Sequence, residues 1–166
     1  MRQEKGRRNV AAHKATYPSV EALPKLMTFR LSRLQARANA HAARLLRKNS
    51  GISLSEWRIF VIIETNGRIT PTEIVRLTNF DKSLISRTIK GLQERGLICA
   101  DTSDCDARSF EIDFTPAGLA LFEKSKPVMR QRQQMFKDAL TEEEFEVLFR
   151  AFDKLDDALD EMEKKL

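Results

Sequence analysis

The chain has 166 residues, 42% of them hydrophobic, a length that usually makes one domain and can bury a real core. No run of about 18 apolar residues occurs, so no membrane-spanning helix is expected, and the charged N-terminus leads into no apolar segment of the secretory kind. Two cysteines, Cys99 and Cys105, fit a reducing cytoplasm better than a disulfide-stapled secreted fold, and the net charge of +5 divides into +10 over residues 1–52, −2 over 53–118 and −3 over 119–166.

Residues 1–19 are polar and basic, and Tyr17, Pro18 and Ser19 break any helix; a flexible tail is expected, able to act as a basic arm on phosphates or in a minor groove. From Val20 to Asn49 the positions Leu23, Met27, Leu31, Leu34, Ala38, Ala42 and Leu45 recur every three or four residues. That is one stripe of a long amphipathic helix, with Pro24 in its first turn and Gly51 past its end. Ser53 and Glu56 form a capping box that opens a helix through Trp57, Phe60, Val61 and Ile63, closed by a left-handed stop at Asn66 and Gly67. Thr70 and Glu73 form a second box, with Pro71 at the favoured first position of a short helix. Thr78, Asn79 and Phe80 make a turn, and Asp81 caps a helix that runs to Arg95 and stops at Gly96.

The rhythm then changes. Residues 97–100 read as a strand and 101–106 as a polar turn, while Phe110, Ile112 and Phe114 alternate with Glu111 and Asp113 as in a half-buried strand. Helix restarts at Thr115 and Pro116, with a kink expected at Pro127. A third capping box, Thr141 with Glu144, precedes the stripe Phe145, Leu148, Phe149, Phe152, Leu155, Leu159, Met162 and Leu166. The order is mainly α with a small β-hairpin, which describes a winged helix-turn-helix flanked by N- and C-terminal helices.

A helix-turn-helix needs a short helix, a tight turn and a second helix that enters the major groove of DNA. Ile74, Leu77, Ile85, Ile89 and Leu92 supply an inward core at helical spacing and leave Lys82, Ser83, Ser86, Arg87 and Lys90 outward. Arg87 can bond a guanine edge bidentately, the serines can meet base or phosphate, and the lysines neutralise phosphate. Free backbone N–H groups at Asp81–Ser83 offer a further phosphate seat. In the hairpin turn, Arg108 can enter a narrow minor groove and Asp106 can hold it there.

The stretch Asp81–Ile98 (DKSLISRTIKGLQERGLI) together with Asp106–Gly118 (DARSFEIDFTPAG) resembles the MarR family of bacterial regulators, and Leu54–Arg58 (LSEWR) is similar to the opening of that family's second helix. The resemblance covers roughly residues 23–166 and implies a single domain over 20–166, with dimerisation helices over 20–50 and 116–166 and a DNA-binding lobe over 53–114. It implies a homodimer on a pseudo-palindromic operator in double-stranded DNA, repressing transcription until a small aromatic acid or similar effector relieves it. By the same match, Ser83, Ser86 and Arg87 fall at groove-contacting positions, and Asp106 and Arg108 at the paired wing residues. Val75 and Asn79 stand where many such units have Ala and Gly, and Gly91 interrupts the second helix.

An effector pocket is expected around Trp57 with Arg37 and His41, suited to an organic anion. No nucleophile–base pair, paired carboxylate site or glycine-rich phosphate loop points to an enzyme, and no cofactor is expected. His13 and His41 are the only histidines and stand far apart in sequence, so no metal site is expected either. The alternative is a winged helix that binds protein or RNA, for which the −2 balance of the central segment is the best argument.

Overall fold

The computed structural model describes residues 20–78, 80–102 and 110–166. Among these, a 3₁₀ helix (Val20–Lys25) precedes α1 (Met27–Asn49), α2 (Leu54–Asn66), α3 (Pro71–Thr78), α4 (Lys82–Glu94), strands β1 (Ile98–Thr102) and β2 (Phe110–Phe114), α5 (Pro116–Asp138) and α6 (Glu142–Glu163). The expected basic tail, Asn79, Cys105 and the wing pair Asp106 and Arg108 lie outside the described residues. The chain forms two units, one reaching to His41 and one over Ala42–Leu166.

In the first unit the expected single helix from Val20 is a 3₁₀ segment followed by α1. Pro24 lies inside that 3₁₀ helix, and its lack of an N–H removes one of the bonds an α-helix would need there. Within this unit the apolar positions of the expected stripe of α1 include exposed ones, with Met27 55% and Leu34 60% exposed, whereas Ala42 farther along the same stripe is buried in the second unit.

The core belongs to the second unit. Ala42 and Leu46 of α1, Ile59, Phe60 and Ile63 of α2, Ile74 of α3, Ile85, Ile89 and Leu92 of α4, Ile98 and Ile112 of the hairpin and Phe122 of α5 are all buried in it. Its centre is aromatic: Trp57 stacks on Phe122 at 5.1 Å, Phe114 on Phe122 at 5.5 Å, and Phe60 meets Phe114 at 5.2 Å. Such pairs add about 0.5–1.5 kcal/mol each beyond the area they bury. They tie α2, β2 and α5 together beneath the hairpin.

Local chemistry sets the helix starts. Ser53 Oγ accepts the Glu56 N–H and Glu56 returns a carboxylate to the Ser53 N–H at 2.6 Å. Thr70 and Glu73 do the same at 3.2 and 2.9 Å, and Thr141 and Glu144 at 3.2 and 2.8 Å. Thr115 caps α5 by accepting the Gly118 N–H, and its own hydroxyl donates to the Gly96 carbonyl at 2.7 Å.

Three further expectations need correction. Leu77 is 55% exposed and not part of the core. The buried or half-buried face of α3 is Pro71, Ile74, Val75 and Thr78, and at about 100° per residue Leu77 points roughly 110° away from the middle of that face. Gly67 does have a positive φ of 74°, but its ψ of −146° lies outside the left-handed helical region, so α2 ends in an extended glycine corner. Strand β1 continues through Asp101 and Thr102, expected as turn, because Glu111 and Phe110 of β2 pair with them. Helix α5 spans Pro116–Asp138 with Pro127, the position of the expected kink, inside it.

One pairing has no sequence signal. Ile69, between α2 and α3, forms a bridge to Ile112, with N–H to carbonyl distances of 3.3 and 2.9 Å in the two directions. It fixes the entrance of α3 to the side of β2 away from β1, and so sets the helix-turn-helix against the hairpin.

Candidate nucleic-acid interface

Helix α4 is held from below by Ile85, Ile89 and Leu92, all buried. Ser83, Ser86, Arg87 and Lys90 follow the i, i+3, i+4, i+7 pattern on the opposite side, and all four are exposed. Lys82 is exposed as well but lies off this stripe. With Ser86 it borders a cleft of about 450 Å³ walled by Val75, Ile85 and Phe110. The structure therefore gathers four of the five expected α4 residues onto one face.

Two neighbours modify that face. Lys90 lies 3.8 Å from Glu94 with both side chains well exposed, so the pair contributes little energy and leaves the ammonium free to exchange partners. Asp81 matters more. Its Oδ1 accepts the Leu84 N–H at 3.0 Å and also the Ser83 hydroxyl. The Arg87 Nε donates to the Ser83 carbonyl at 3.2 Å and its Nη2 to the Ser83 Oγ at 3.5 Å. The Ser83 hydroxyl and the Leu84 backbone bond hold the Asp81 carboxyl below the usual carboxylate range. The helix N-terminus is thus filled by the chain's own carboxylate. The expected phosphate seat at Asp81–Ser83 is not open.

Contacts that sequence reasoning missed fix the orientation of α4. Arg95, at its C-terminal end, donates to Glu56 Oε1 in the capping box of α2. The Arg58 guanidinium of α2 lies 4.9 Å over the ring of Phe80, in the turn that precedes α4. One helix therefore grips α4 at both ends. Glu56 was legible as a capping residue, but nothing local shows that its second oxygen reaches Arg95, 39 positions away. At the base of the wing, Arg68 lies 3.6 Å from Asp113.

The expected effector residues fall in both units. Arg37 lines a cleft of about 550 Å³ in the first unit with Phe29, Arg30, Arg33 and Leu34. His41 is exposed. Trp57 belongs to the second unit, half-buried in its stack with Phe122.

Residues 50–109 match the model of the MarR family. A protein of Thauera aromatica named as a transcriptional regulatory protein for the hcr operon is 31% identical over 106 residues, 63% of this chain and 64% of that protein. The repressor IacR of Pseudomonas putida is 28% identical over 120 residues, 72% of this chain and 71% of its own. The chain thus spans less than two thirds of the length of the first of these relatives. The fold is similar to that of Staphylococcus aureus MepR in a complex with DNA, with a TM-score of 0.74, 18% identity, and coverage of 81% of this chain and 98% of MepR.

Proposed function

We propose that the chain is a member of the MarR family, a transcription regulator that binds double-stranded DNA as a homodimer at a pseudo-palindromic operator. One observation carries the reading: α4 presents Ser83, Ser86, Arg87 and Lys90 on a single exposed stripe, pinned from behind by buried Ile85, Ile89 and Leu92. This stripe enters the major groove, Arg87 reading guanine and Lys90 neutralising phosphate, while the hairpin lies along the adjacent backbone. The pair Asp106 and Arg108, expected from the sequence alone, is proposed to serve the minor groove. Repression is the direction we favour, since IacR, with which the chain shares 28% identity, is a repressor. An effector of the small aromatic acid class is proposed for the arginine-lined cleft of Arg37, where Phe29 and Leu34 supply an apolar wall.

Selection from a pool of randomised duplexes tests the DNA reading. The wild-type chain is expected to enrich a two-fold symmetric site, and its affinity to fall steeply with salt. Arg87→Ala is expected to relax base preference at one position in each half-site by about tenfold or more. Binding without sequence preference at every salt concentration sinks the proposal and leaves the face to a protein or RNA partner.

A further inference from the structure

We infer that Asp81 is a positioning residue for base recognition, its carboxylate setting the polarity of Ser83 and, through Ser83, the orientation of the Arg87 guanidinium. The inference rests on the reading of α4 as the element that enters the groove. Capping alone explains only half of what Asp81 does. Ser, Thr or Asn would accept the Leu84 N–H as well. The second bond, from the Ser83 hydroxyl to the same carboxylate oxygen, adds nothing to the cap.

A hydroxyl has one proton and two lone pairs. With its proton committed to Asp81, Ser83 turns only lone pairs outward, and one of these receives Arg87 Nη2. The Arg87 Nε is taken by the Ser83 carbonyl. Two of the five guanidinium N–H groups are thereby used, and the edge formed by Nη1 and Nη2 remains for the N7 and O6 of guanine. The fork is fixed before DNA arrives, which lowers the ordering cost of binding. Ser83 itself is left able to accept from an adenine or cytosine amino group and unable to donate to phosphate.

The carboxylate has an opposite effect on general affinity, because a negative charge at the end of α4 repels the DNA backbone. Replacing it with a neutral cap is therefore expected to move affinity and preference in opposite directions. A loss of helix stability would lower both.

The test uses the full-length protein, the site selected by the wild type, and the same duplex changed at the base pair that Arg87→Ala no longer distinguishes. Asp81→Asn keeps the cap but supplies a weaker acceptor that can also donate, and Ser83→Ala removes the link. Both are expected to melt near the wild type and to lower the preference ratio by up to about tenfold. Asp81→Asn is further expected to bind unrelated DNA at least as tightly as the wild type does, and to change the ratio no more once Arg87 is Ala. A wild-type ratio in Asp81→Asn overturns the inference, as does a ratio that falls only together with binding to unrelated DNA, the mark of a weakened helix. Failure of the wild type to select any site overturns the DNA reading and this inference together.

Discussion

Gly91 and Gly118 both lie inside helices, and the space around them differs completely. A Cβ built on Gly118 would stand 1.8 Å from the carbonyl oxygen of Leu97 and 2.8 Å from its carbon. Both are backbone atoms at the start of the hairpin, and that same oxygen accepts the Thr115 N–H at 3.2 Å. Neither side can yield cheaply, so Gly118→Ala is expected to push α5 off the hairpin at a cost of about 1–3 kcal/mol or more. Thermal melting would register this as a fall of several degrees, and an unchanged melting temperature would mean that the close approach is not kept in solution. Around Gly91 nothing lies within 4 Å of the added atom. There Ala brings only its better helix propensity, so Gly91→Ala is expected to stabilise by up to about 1 kcal/mol, roughly 2–4 °C in a chain of this size. Sequence alone registers the propensity cost of Gly91 and leaves open whether packing compensates it. It gives no reason at all for Gly118, since the reason is an oxygen 21 positions earlier in the chain.

The helix starts were the most legible elements, because a cap is written within four consecutive residues. Ser53 with Glu56, Thr70 with Glu73, Thr141 with Glu144, and the caps Asp81 and Thr115 all stand where side-chain chemistry places them. The outward stripe of α4 was legible for the same reason, being a matter of period. What failed to show was non-local. The 110° offset of Leu77, the Ile69–Ile112 bridge and the Glu56–Arg95 contact depend on which elements pack together, and no window of sequence contains both partners. The caps also carry a pH signature. Glu73 is held below the usual carboxylate range by the Thr70 N–H and hydroxyl, Asp81 by Ser83 and Leu84, and Glu144 by Thr141. A carboxyl whose folded pKa is depressed contributes stability above its unfolded pKa and loses it as pH falls through the folded value. These contributions are therefore expected to be complete at neutral pH and to fade as pH falls below about 4. Melting followed from pH 7 to pH 3 would reveal them. The triple variant Glu73→Gln, Asp81→Asn, Glu144→Gln is expected to lose less stability over that interval than the wild type, and an identical loss would show that the caps are not its source.

The terminal helices pose the question of what this chain does with its uncovered apolar faces. No residue of α6 is buried, although Val147, Phe149 and Met162 are each about half exposed at 48%, 48% and 61%. Phe145, Phe149 and Phe152 meet in tilted and edge-to-face contacts with centroids 4.5 and 6.2 Å apart. Monomers seldom expose so continuous a patch. Charge indicates what covers it: α1 carries six basic and no acidic side chains, whereas α6 carries ten acidic and two basic ones. A second copy supplies both an apolar stripe and the opposite charge, which is why we place the dimer seam on the terminal helices. In a two-fold dimer every substitution acts twice. Phe149→Asp removes an aromatic and buries a carboxylate among acidic neighbours, so a cost of about 2 kcal/mol per copy is a modest expectation. Doubled, that raises the dimer dissociation constant by roughly a thousandfold. Sedimentation at micromolar concentration is expected to find the wild type dimeric and Phe149→Asp largely monomeric. The consequence for DNA follows from counting phosphates. A monomer brings one α4 to one half-site, so the slope of log affinity against log salt is expected to fall to about half its wild-type value. A variant that stays dimeric with an unchanged slope would move the seam away from α6, and the acidic face of that helix would then need a different partner.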